Sequence, residues 1–150
     1  MIAFGNLQGQ KLIKCEITND TILLGNLLEL TYSAENVQIE FEGPDFTKLR
    51  VFAGPNVSRT MSIINGKTTT LHNYKYQIKP EKIGVIIISP AYFRIGEDVY
   101  ETPPFEIIVM PNPAGEPQKK YNKKVIYSYD LDSAPKEKKE LKFNKKKKRI

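Results

Sequence analysis

The dipeptide Asn65-Gly66 separates two stretches of strand-forming residues, Ser58 to Ile64 and Lys67 to Ile78. Asparagine and glycine both accept the positive φ angles that a two-residue type I′ turn requires, so the flanking stretches are predicted to be the arms of a β-hairpin. On the second arm His72, Tyr74, Tyr76 and Ile78 share one face, and Asn73, Lys75 and Gln77 share the other.

The rest of the first 110 residues supplies elements of the same kind. Ile13, Cys15 and Ile17 alternate with Lys14, Glu16 and Thr18, the period-2 pattern of a strand with one buried face. The pattern returns at Leu28, Leu30 and Tyr32, and again at Val37, Ile39 and Phe41, where Gly43-Pro44-Asp45 closes it. Leu49 to Ala53 reads as a short strand stopped by Gly54-Pro55-Asn56, because proline fixes φ and lacks a donor. Val85 to Ser89 is continuously apolar and is predicted to be a central strand covered on both sides. Phe93 to Ile95 and Val99-Tyr100 flank the turn at Gly96-Glu97-Asp98, and Phe105 to Met110 supplies the last strand. Short strands with frequent turns and no helical periodicity point to an all-β, immunoglobulin-like sandwich. A hydrophobic content of 40% is enough to fill its one core.

Charge divides the chain in two. Residues 1–110 carry 10 Lys or Arg against 12 Asp or Glu, a net of −2, whereas residues 111–150 carry 13 against 5, a net of +8. Pro111 to Gly115 reads as a linker, so the expected organisation is a sandwich over residues 1–114, with its strand core at 11–110, and a flexible, disordered lysine-rich tail over 115–150. Val125 to Tyr129 is the one strand-like island in that tail.

The ordered string Pro44-Asp45-Phe46, Gly54-Pro55, Ser58 to Ile64, Asn65-Gly66-Lys67, Tyr74-Lys75-Tyr76, Pro80 with Gly84, Pro90-Ala91, Gly96 to Tyr100 and Phe105 to Val109 resembles the N-terminal β-domain of the BatD, or oxygen-tolerance, proteins. The resemblance spans roughly residues 11–110. It implies a bacterial envelope protein, periplasmic or membrane-associated and linked to oxygen or stress tolerance. Genes for von Willebrand A-type proteins and a MoxR-like ATPase usually lie beside those of the family, and the resemblance implies no catalytic residues. In that family a signal peptide precedes the domain and a membrane anchor follows further β-domains. Here Met1 to Gln10 lacks a basic n-region and an apolar h-region, and no run of about 18 apolar residues occurs, so a chain complete as written is expected to be cytoplasmic.

Residue supply limits the chemistry. There is one histidine and one cysteine, no metal-spaced Cys/His cluster and no phosphate-cradling glycine loop, so no catalytic, cofactor or metal site is expected. His72 lies on a strand face with Tyr74 and Tyr76 and reads as structural. Cys15 lies on an apolar face, where a thiol packs as a small hydrophobe and resists ionisation. Glu40 and Glu42 fall on the solvent side of their strand, and Tyr74 and Tyr76 read as core residues rather than a binding platform.

A non-enzymatic protein-interaction module is therefore expected, with von Willebrand A-type envelope proteins as the partner class that the resemblance suggests. Loops held by a rigid sandwich are common places for recognition, which makes Pro55, Arg59 and Lys67 the candidate protein-binding residues. Two other readings stay open. One is a structural or adhesive envelope subunit whose sheet edges accept a strand from another chain. The other is a polyanion-binding protein whose tail sets Tyr121, Tyr127 and Tyr129 among lysines for nucleic acid, anionic lipid or an acidic protein.

Overall fold

The computed structural model describes residues 10–46, 49–118, 124–131 and 144–148. It is an immunoglobulin-like β-sandwich, with no helix among the described residues. The larger layer is a six-stranded sheet. It contains β1 (Leu12–Ile17), β3 (Leu28–Glu35), β5 (Arg50–Ile64), β6 (Lys67–Lys79), β11 (Lys124–Asp130) and β12 (Asn144–Lys148), in the order β12-β11-β1-β3-β6-β5. Two smaller sheets complete the sandwich. One orders β2 (Thr21–Leu23), β10 (Phe105–Met110) and β7 (Gly84–Ile88) as β2-β10-β7, and the other orders β4 (Glu40–Glu42), β8 (Tyr92–Ile95) and β9 (Asp98–Glu101) as β4-β8-β9.

Alternation decides what is buried. Ile13, Cys15 and Ile17 of β1, Leu28, Leu30 and Tyr32 of β3, Tyr76 and Ile78 of β6, and Phe105, Ile107 and Val109 of β10 all face the core. Full burial contributes about 1.5–3 kcal/mol for each large apolar side chain of this kind. The layers meet through rings: Tyr32 of β3 lies 6.4 Å from Phe93 of β8, and Phe41 of β4 stacks on Tyr74 of β6 at 4.3 Å between centroids.

Where strands end, side-chain oxygens replace missing backbone acceptors. Thr18 donates its N–H to the Glu29 carbonyl and accepts the Glu29 N–H on Oγ1, both at 3.0 Å. Thr102 and Ala91 exchange the same pair of bonds at 2.9 and 2.8 Å. Asn36, at the end of β3, does so with Thr70.

Several sequence expectations change. Leu49 to Ala53 is not a separate strand, because β5 runs through Gly54-Pro55 as one 15-residue strand, with register shifts between Val51 and Ala53 and between Ala53 and Asn56. An edge strand tolerates both the bulge and the proline, since its outer side needs no donor. β7 is not a central strand covered on both faces: it pairs only with β10 among the described residues, and Val85 and Ile87 project outward beside Ile108 and Met110.

The boundary at residue 114 also changes. Residues 112–118 are held against the β2–β3 turn: Asn112 Nδ2 donates to the Leu24 carbonyl at 3.0 Å, and Gln118 Oε1 accepts the Leu23 N–H at 2.8 Å. Residues Val125 to Asp130 of β11 pair with the whole of β1, burying Val125 and Tyr129 in the core, and Lys124 bridges to Glu16 at 2.8 Å. Lys124–Asp130 is therefore a sheet strand and not part of a disordered tail. Of the C-terminal lysine block, Lys145 to Lys148 fall in β12, which pairs with β11; residues 119–123, 132–143 and 149–150 lie outside the described residues.

Candidate interaction surface

The β5–β6 hairpin is longer than the sheet that carries it. β3 pairs with β6 only from Leu71 to Ile78, while β5 and β6 stay paired out to Ile64 and Lys67. The segment from Met61 to Thr70 thus forms a two-stranded arm reaching past the end of β3, with Val57 and Arg59 on the edge strand at its base. Asn65 (φ 53°) and Gly66 (φ 76°) turn it, as the sequence predicted.

Two features fix the root of the arm. Asn36 clamps β6 at Thr70 and donates from Nδ2 to the Gln10 carbonyl at 2.8 Å, so all of its side-chain polar atoms are used. Gly54 has φ of +114°, and a Cβ there would lie 2.5 Å from the Lys75 carbonyl oxygen. The chain can cross β6 this closely at the bulge only without a side chain.

Directly paired residues of antiparallel strands project to the same face. Val57, Met61 and Ile63 therefore share a face with Tyr74, Thr70 and Thr68 across from them. Closer to the body, that face is the core side, where Tyr74 meets Phe41. Toward the arm it is uncovered: Val57, Met61 and Ile63 are 62–69% exposed. An apolar core face thus continues into solvent beyond the layer that would cover it, and exposed apolar surface of this kind marks interaction sites.

The arm is also basic. Between Arg50 and Lys79 the hairpin holds five Lys or Arg and no Asp or Glu. Arg50 and Lys75, near the root, meet Glu81 and Glu29, but no carboxylate pairs with Arg59 or Lys67 among the described residues.

The three residues singled out from the sequence are all exposed, and all belong to this hairpin rather than to loops. Pro55 sits in the bulge at the root. Arg59, opposite His72, shares the Met61 face, whereas Lys67, opposite Ile64, lies on the other face, five residues or about 17 Å farther along. The structure does not gather them into one cluster. Sequence reasoning misses Val57, Met61 and Ile63 because polar turn residues give the stronger local signal. The signal was their alternation with Ser58, Thr60 and Ser62 on a hairpin longer than any neighbouring strand.

Of the other candidates, the cysteine, the histidine and the described tyrosines are packed into the sandwich. Cys15 is fully buried, and burial pushes its thiol pKa far up. His72 is half-buried between Ala34 and Arg59 in the sheet. Glu40 and Glu42 are exposed. Tyr127 packs on Phe105 at 5.2 Å and Tyr129 near Tyr100 at 5.9 Å, so these rings close the sandwich and are not a stacking platform; Tyr121 lies outside the described residues. No group of three or more His, Cys, Asp or Glu is placed to hold a metal among the described residues.

Comparison with known proteins gives one result. No curated protein and no solved structure matches the chain. The BatD DUF11 like domain matches residues 16–109, from within β1 to within β10, and so contains the whole β5–β6 arm. With more than half of its length matched, the chain belongs to the BatD family, whose domain is that of envelope-associated, aerotolerance-linked proteins.

Proposed function

We propose that this domain is a non-catalytic protein-interaction module of a bacterial envelope assembly, and that the β5–β6 arm is its contact element. The observation that carries the reading is the apolar face formed by Val57, Met61 and Ile63, which extends the core side of the sheet into solvent. Water is a poor neighbour for such a face, and about 25 cal/mol for each Å² of apolar surface removed from it is available to binding. The rigid root supports the same reading, since an arm held by Asn36 and the Gly54 crossing loses little conformational freedom when it docks.

The partner class we propose is the von Willebrand A-type proteins encoded beside family members. The test is a calorimetric titration of this chain with the neighbouring A-type protein, comparing the parent with Met61→Asp/Ile63→Asp. The double variant should keep its melting temperature and bind at least tenfold more weakly. Equal affinity would remove the arm from the interface.

A further inference from the structure

We infer that the arm binds its partner by strand addition at the open edge of β5, and that the added strand is an extended segment carrying apolar residues and carboxylates. The inference rests on the reading of the arm as the contact element and specifies the partner's form.

Thr70 shows which backbone groups are open. Its C=O accepts the Asn36 N–H and its N–H donates to Asn36 Oδ1, so both groups point away from β5. In an antiparallel ladder, the residue opposite a group that turns outward also turns outward, on the other side. Met61 is opposite Thr70, so its N–H and C=O point to the open side of β5. By alternation Arg59 and Ile63 do the same. Among the described residues β5 pairs with no strand but β6, which leaves this row of donors and acceptors free to pair with a strand.

Side chains and backbone then point to the same occupant. The residues with open backbone groups are those on the apolar face, so a strand added here would pair by its backbone and set alternate side chains beside Met61 and Ile63. A carboxylate on that strand would meet Arg59, which has no ion-pair partner among the described residues. A second copy of the arm fits poorly, because the hairpin carries five cations and no carboxylate, and pairing two would set like charges side by side. Insertion into a lipid bilayer is disfavoured too, since the open N–H and C=O groups would find no partner in hydrocarbon.

The test uses the full chain and two synthetic decapeptides, one of alternating valine and glutamate, the other of alternating valine and lysine. With the glutamate peptide, the Arg59, Met61 and Ile63 amides should gain at least tenfold protection from hydrogen exchange. The lysine peptide should bind at least tenfold more weakly. Met61→Pro, which removes an outward N–H and spares the β5–β6 bonds, should abolish binding while melting stays cooperative. Unchanged exchange at the three amides would overturn the proposal, as would equal binding of the two peptides. Arm-dependent binding to anionic phosphatidylglycerol vesicles, with no amide protection by peptide, would also overturn it. If Met61→Asp/Ile63→Asp weakens A-type protein binding while these amides stay unprotected, strand addition fails and the interaction reading survives.

Discussion

Asn36 and Thr70 pair as neighbouring strand residues do, except that a side chain supplies one of the two acceptors. The Asn36 N–H donates to the Thr70 carbonyl, and the Thr70 N–H donates to Asn36 Oδ1, both at 2.9 Å. Asn36 is buried with φ of 60°, a conformation that asparagine tolerates better than most residues. The last backbone rung of β3 is thereby extended by one residue, at the point where the arm leaves the body.

Asn36→Gly keeps access to the positive φ and removes the amide, leaving the Thr70 N–H without its acceptor. Stability should fall by about 1 kcal/mol, the lower end of the cost of an unmade hydrogen bond, because the Thr70 N–H is only half-buried. Urea denaturation measures the loss, and the Thr70 amide should exchange faster. An unchanged midpoint would show that the clamp contributes nothing.

Two glycines of the hairpin should respond differently to alanine. Gly66 needs its positive φ but has open space around a Cβ, so Gly66→Ala should cost about 1 kcal/mol. Gly54 combines positive φ with the close Lys75 carbonyl, so Gly54→Ala should cost more, roughly 2 kcal/mol or above. Thermal melts of both variants check the order; equal costs would mean that the bulge relaxes freely.

Truncation after Gly115 removes β11 and exposes the β1 edge together with the core contacts of Val125 and Tyr129. The truncated chain should lose more than 3 kcal/mol, since replacing one buried aromatic by alanine already costs about 3–5 kcal/mol. Chemical denaturation is the check. A cooperative transition at the parent midpoint would show that residues up to 115 form a complete domain.

Burial raises the pKa of Cys15 and of Tyr32 in the folded state, from ordinary values of 9.0 and 10.0. Above these values the unfolded chain releases both protons while the folded chain keeps them, so stability falls as pH rises. The contribution is fully present below pH 9, declines through Cys15 from about pH 9 and more steeply through Tyr32 from about pH 10. Urea midpoints at pH 7, 9 and 10.5 should show the fall, and Cys15→Val should flatten the part that begins near pH 9. A flat profile over that range would contradict burial of the two groups.

Strand positions were legible wherever one face is buried and the other wet. Ile13, Cys15 and Ile17, and again Leu28, Leu30 and Tyr32, show alternation that only a half-buried strand produces, and Asn65-Gly66 marked its turn without tertiary information. Thr21–Leu23 was missed because three residues are too short for a period to register. The Val85 run misled because apolar residues on consecutive positions signal two covered faces, and here one face is bare. β11 was seen as a strand-like island, but its pairing with β1, more than 100 residues away in sequence, is set by the core and not by local pattern. The site was legible only in part: Arg59 stands out as a charged residue of the hairpin, while the exposure of Met61 and Ile63 depends on where β3 ends and that of Val57 on its place in the edge strand.

The arm, and not another apolar surface, is proposed to meet the partner. The sandwich offers a natural internal comparison in Val85, Ile87 and Ile108, which are exposed on the β7–β10 face. Methyl NMR of the full chain, titrated with the A-type protein, reads both surfaces in one spectrum. The methyl signals of Val57, Met61 and Ile63 should shift or broaden on binding while those of Val85, Ile87 and Ile108 stay in place. Perturbation confined to the β7–β10 face, with the arm signals unchanged, would place the interface there and not on the arm.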